Sequence, residues 1–135
     1  MKILRYETSG EIHYGLLEDD NTIRQLLASP FDNLDTSGTI VHLDDVRVLS
    51  PIESPRVIGV GLNYVAHAHE SGKPLPTIPL LFMKPSTTVI GPDEPIIYPR
   101  EAKEVHYECE LAVVIGKRAR RVPEAEALNY VLGYT

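Results

Sequence analysis

Cysteine is nearly absent: Cys109 is the only one in 135 residues. No disulfide can form within the chain, and a reducing, cytoplasmic setting is the expectation. Basic side chains are the minority charge, 13 Lys and Arg against 19 Asp and Glu, for a formal net charge of −6. With no interleaving of basic and aromatic residues, that balance argues against nucleic acid and anionic membrane surfaces as partners. The one basic run, Lys117-Arg118-Ala119-Arg120-Arg121, is short and reads as a solvated turn. No apolar stretch approaches the roughly 18 residues that a membrane span needs, and no secretory apolar region follows Met1. Internal repeats and low-complexity segments are missing too.

What is present is ordinary for a soluble globular chain: 43% hydrophobic and 24% charged residues, over a length that suits one domain. The first third alternates short apolar runs with turn residues. Lys2–Tyr6 and Ile12–Leu17 read as strands separated by the turn Thr8-Ser9-Gly10, and Glu18–Asn21 forms the next turn. Ile23–Leu27 is too short for periodicity to separate a strand from a helical turn. Ser29–Gly38 reads as loop, Val46–Leu49 as a short strand, and Pro51–Pro55 as a boundary. The expectation is a small β-rich subdomain over residues 1–50, followed by a second unit over 51–135.

In the second unit, Val57, Ile58 and Val60 suggest a buried strand. Gly59 and Gly61 within it permit close backbone approach. A dinucleotide fingerprint fails here, because Tyr64 stands where the third glycine would be. Tyr64–Ser71 predicts a short helix broken at Gly72, and Leu80–Lys84 a second apolar strand. Ile96–Tyr98 has an extended character. His106–Lys117 predicts a central strand with apolar residues on both faces. Pro123–Leu132 predicts a helix, with proline in its first turn, glutamates near its start and Gly133 closing it.

Three placements carry chemistry. On a strand, Glu108 and Glu110 share one face about 6.5–7 Å apart. Two carboxylates so close repel unless a cation lies between them, so the pair suits a hard divalent cation. The bland alternative is the solvated face of a half-exposed sheet. Zinc on His106, Glu108 and Glu110 is a weaker fit, since paired carboxylates favour harder cations. On the predicted helix, His67 and Glu70 lie three residues apart and share a face. They form either a surface pair or a carboxylate-oriented imidazole acting as general base. His69 points elsewhere. Lys84, at the end of an apolar strand, is either a snorkelling surface residue or an anion binder.

Taken together, Gly61-Leu62-Asn63-Tyr64 with His67 and Glu70, Leu81-Phe82-x-Lys84-Pro85-Ser86, His106-x-Glu108-x-Glu110-Leu111, Gly116-Lys117 and the closing Gly133-Tyr134-Thr135 resemble the fumarylacetoacetate hydrolase family. The resemblance covers roughly residues 56–135, and the leading hairpins resemble the small N-terminal domain of many bacterial members. It implies an α+β, mainly β fold: a mixed β-roll, incomplete here, preceded by the β-rich subdomain. It also implies a Mg²⁺ or Mn²⁺ site with Glu108 and Glu110 as two metal ligands. By the same resemblance His67 and Glu70 are the catalytic pair, and Lys84 lines the substrate pocket. The implied substrates are small 2-oxo or dicarbonyl acids, undergoing C–C cleavage, decarboxylation or isomerisation. The full-length protein is expected to be a homodimer. The family's third ligand, an aspartate beyond the Gly-Tyr-Thr motif, has no counterpart before Thr135. The chain therefore reads as the first half of a longer enzyme, with a non-catalytic β-rich association module or an inactive fragment as the alternative.

Overall fold

The computed structural model describes residues 1–135. It opens with five antiparallel strands: β1 (Lys2–Thr8), β2 (Glu11–Leu17), β3 (Thr22–Leu26), β4 (Thr36–His42) and β5 (Arg47–Leu49), in spatial order β4-β3-β2-β1-β5. The β1–β2 hairpin turns through Ser9 and Gly10, with φ of 51° and 80°. Two positive φ values in a two-residue loop match the right-handed twist of the strands it joins. The ambiguous Ile23 segment is a strand. Thr36–Gly38, expected as loop, belongs to β4.

The core sits in this sheet. Six of the seven buried residues of the chain fall within residues 1–30, with Tyr6 and Ile23 fully enclosed. Gly15 on β2 is what lets them meet. A side chain there would collide with the Ile23 methyl and come within 3.2 Å of the Tyr6 ring.

The turn before β3 is held by Asp19, whose carboxylate accepts from the backbone N–H of Asn21 at 2.9 Å and of Thr22 at 2.6 Å. These bonds hold the Asp19 carboxyl below the usual aspartate range, and the Arg24 guanidinium does the same for Glu18. Acids depressed by folding stabilise the fold above their unfolded pKa. That contribution is lost as pH falls through the folded value. The urea midpoint should therefore hold steady from neutral pH to about pH 4 and fall below it. Asp19→Asn should flatten that acid limb; an identical limb would remove the turn from the acid response.

The remainder is thinner. Strands β6 (Val57–Gly61) and β7 (Leu80–Lys84) form an antiparallel ribbon, with α1 (Val65–Glu70) between them in sequence. Gly59 lies opposite Phe82 and Gly61 opposite Leu80, and those two side chains lie over the glycines where a Cβ would stand. The close approach that the glycines permit is thus taken by neighbouring side chains. Val57–Gly61 is a strand as expected, yet it is not buried: Ile58 is 60% exposed.

Two expectations fail here. His106–Lys117 is not one central strand; only β8 (Val113–Ile115) is regular, paired with β9 (Val131–Tyr134). Ala112 and Thr135 exchange two further backbone hydrogen bonds, and His106–Leu111 pairs with no strand. Pro123–Leu132 is not an α-helix either. Glu124–Tyr130 forms 3₁₀ turns, and Val131 onward is drawn into β9, where Gly133 faces Val114 rather than closing a helix. Ile96–Tyr98 joins no strand.

A folded monomer of 15.0 kDa exposes about 7,000 Å² by the usual scaling of surface with mass. This chain exposes 10978 Å². The excess is concentrated after residue 50, where Leu81 (61%), Met83 (71%) and Ile97 (78%) face outward. Leu81 and Met83 have a strand partner in β6 but stay exposed beyond it, and Ile97 belongs to no strand.

Candidate active site

Helix α1 is short but firmly ended. Gly72 adopts φ of 64°; its N–H donates to the His69 carbonyl, and the N–H of Lys73 donates to that of Ala68, each at 3.0 Å. This left-handed closure satisfies two carbonyls that the helix would otherwise leave bare. Ala68 is fully buried and anchors the helix, leaving His67 and Glu70 free to face a cleft.

That cleft measures about 900 Å³. Its walls are the end of β6 through Tyr64, the exposed face of α1, Leu80 and Phe82 of β7, and the irregular segment His106–Glu110. Four of the five residues singled out in the sequence line it: His67, Glu70, Glu108 and Glu110. Lys84 does not. It lies at the far end of β7, opposite Val57. Tyr107 and Cys109 border the cleft as well, and the segment is not a strand, so the alternation expected for it does not hold.

Within the cleft the His67 imidazole stands against Glu108, Nε2 to Oε1, at 3.7 Å. Its carboxylate neighbour is thus on the opposite wall. Glu70, the partner expected from helical spacing, forms neither hydrogen bond nor ion pair with it. Both members of the His67–Glu108 pair are about half exposed, at 48% and 60%, so their attraction is screened by water and holds them loosely. A second tie comes from a residue that spacing arguments passed over. The Tyr64 hydroxyl accepts a hydrogen bond from the backbone N–H of Leu111 at 3.1 Å. The available signal was its position directly before the helix, in Gly61-Leu62-Asn63-Tyr64.

Glu108 and Glu110 supply the hard oxygen donors that Mg²⁺ or Mn²⁺ takes. No group of three or more His, Cys, Asp or Glu side chains converges on one point. The donors of these 135 residues therefore fit such a cation in kind, while supplying only part of its shell. A second cleft, about 310 Å³ and mainly apolar, lies where Ile3 and Leu4 meet Val114 and Leu132; it holds none of these groups.

Comparison with known proteins identifies the family. Residues 56–135 match the family described as fumarylacetoacetate (FAA) hydrolase C-terminal, and residues 1–51 match an N-terminal family described as Rv2993c-like. The chain belongs to the fumarylacetoacetate hydrolase family. It is 47% identical to a protein of Archaeoglobus fulgidus over 97% of its own length and 48% of the relative's. With a mitochondrial oxaloacetate tautomerase of Xenopus laevis it shares 40% identity, covering 76% of this chain and 32% of the other. Among solved structures, the 5-carboxymethyl-2-hydroxymuconate delta-isomerase of Mycobacterium smegmatis superposes with a TM-score of 0.88 at 38% identity, over 99% of this chain and 52% of that one. The chain thus has the family's mainly β fold in incomplete form, and spans about half the length of the Archaeoglobus and Mycobacterium proteins and a third of the Xenopus one.

Proposed function

We propose that the cleft between α1 and His106–Glu110 is part of the active site of an enzyme that isomerises or tautomerises small 2-oxo or dicarbonyl acids. The observation that carries this is the His67 imidazole facing Glu108 across a cleft that also holds Glu70 and Glu110. The names of the tautomerase and the delta-isomerase favour proton relocation over hydrolysis or decarboxylation, since both describe rearrangements without loss of atoms. In this reading His67 takes a proton from the carbon next to the substrate carbonyl, and the proton is returned at oxygen or further along the conjugated chain. Glu70, on the same helix and in the same cleft, is kept as the second proton-transfer group. Glu108 and Glu110 would hold a divalent cation, which when bound polarises a 2-oxo carboxylate and favours its enolate form. Lys84 retains a substrate-binding role in this proposal on family resemblance alone. The homodimer stands on the same footing, while the cytoplasmic setting rests on the single cysteine.

Because the chain spans half of its relatives, the activity belongs to the longer protein. The test supplies the remainder: this chain is mixed with the separately produced second half of the Archaeoglobus relative and Mn²⁺. Exchange of the C3 hydrogens of oxaloacetate with D₂O is then followed by NMR. The mixture should exceed a control of Mn²⁺ with either half alone. Exchange no faster than those controls contradicts the proposal.

A further inference from the structure

The segment that carries Glu108 and Glu110 has little to hold it. From Ala102 to Leu111 no residue belongs to a strand or helix. The nearest backbone pairing to other elements is at Ala112, with Thr135. The His106 imidazole bonds only to Glu104, two residues away in the same segment. One hydrogen bond crosses from this segment to the wall opposite: Leu111 N–H to the Tyr64 hydroxyl.

Tyr64 is well placed for such a tie. It is the residue preceding α1, still extended at φ −103° and ψ 124°, so its side chain leaves the chain where β6 hands over to the helix. One tyrosine thus touches both walls. Its backbone carbonyl accepts the first bond of the helix that carries His67, from Ala68 N–H at 3.1 Å. Its hydroxyl holds the residue next to Glu110. A tyrosine reaches across on a rigid ring with only two rotatable bonds, so few torsions need be ordered to hold that distance, although the bond itself is exposed.

We infer that Tyr64 is a positioning residue, whose hydroxyl sets Glu108 and Glu110 against His67 across the cleft. This rests on the reading of the cleft as an active site, and deepens it. Losing the hydroxyl leaves the helix and ring in place but frees Leu111, so the two carboxylates sample positions away from α1.

Tyr64→Phe tests this in the 135-residue chain, because it removes one oxygen and keeps the ring. Hydrogen exchange followed by NMR should show faster exchange at the Leu111 amide by about threefold to tenfold, the range of one net hydrogen bond. Amides of β1 and β2 should stay as they were. Glu108→Gln should shift the His67 ring signals in the parent chain and much less in the Tyr64→Phe background, a coupling that general destabilisation would not produce. Unchanged Leu111 exchange overturns the inference. So does equal His67 response in both backgrounds, which would leave the hydrogen bond without influence on the glutamates. Mn²⁺ binding to the parent chain, read by water-proton relaxation, separates this from the functional reading. If no Mn²⁺ binds while Tyr64→Phe still frees Leu111 and uncouples His67 from Glu108, the metal reading fails and the positioning role stands. If Mn²⁺ binds and Tyr64→Phe changes neither exchange nor coupling, the reverse holds.

Discussion

His67→Ala is expected to slow oxaloacetate hydrogen exchange in the two-half mixture by about 10²–10⁴-fold, the usual contribution of a positioned acid–base group. The imidazole is the only histidine ring that faces Glu108 across the cleft, and α1 presents it there because Ala68 is the residue buried beneath. His69 is two residues further along the same helix and does not line the cleft. His69→Ala should therefore leave exchange within a few-fold of the parent. The pairing of the two variants matters, because both sit on one short helix and a general loosening would affect them alike. Mn²⁺ binding should survive His67→Ala, since neither carboxylate is touched. Equal losses from the two histidine variants would remove the role given to His67.

The second large effect concerns the cation. Glu108→Gln keeps the size of the side chain and replaces an anionic oxygen with an amide. Ligands beyond the first coordination shell already change metal affinity by about 10–100-fold, so removing a direct carboxylate should cost no less. Water-proton relaxation in a Mn²⁺ titration should show that loss for Glu108→Gln. Glu124→Gln, an exposed carboxylate in the 3₁₀ stretch, should leave the titration unchanged. Equal affinities for the parent and Glu108→Gln would take Glu108 out of the site. The same substitution removes the partner of His67, so the exchange rate should fall with it.

The parts of the fold written in local chemistry were legible. Ser9-Gly10 dictates a tight hairpin, and alternating apolar residues set the faces of β1 and β2. Gly72 marks the end of α1 through a backbone angle that other residues adopt at a cost. The segments that misled were those decided by distant partners. Glu124-Ala125-Glu126-Ala127-Leu128 is good helix material, but pairing of Val131–Tyr134 with β8 takes the residues a longer helix would need, so tertiary pairing overrides propensity. His106–Ile115 has the composition of a strand throughout, yet a strand needs a neighbour, and residues His106–Leu111 lie against none. The site shows the same division. That His67, Glu70, Glu108 and Glu110 line one cleft was legible from motifs, while the place of Lys84 outside it was not. That His67 faces Glu108 rather than Glu70 was not, because that contact joins segments far apart in sequence and follows from how β6, α1 and the His106 segment are laid together.

The most direct measurement is paramagnetic broadening in the NMR spectrum of the chain as Mn²⁺ is added in small amounts. If the cleft is the cation-binding half of an active site, signals of Glu108, Glu110 and Leu111 broaden first, together with the His67 ring. Those of the Asp19–Asp20 turn and of Asp44–Asp45 should broaden only at higher metal. Broadening that begins at those acidic turns, or spreads evenly over every exposed carboxylate, would contradict the account.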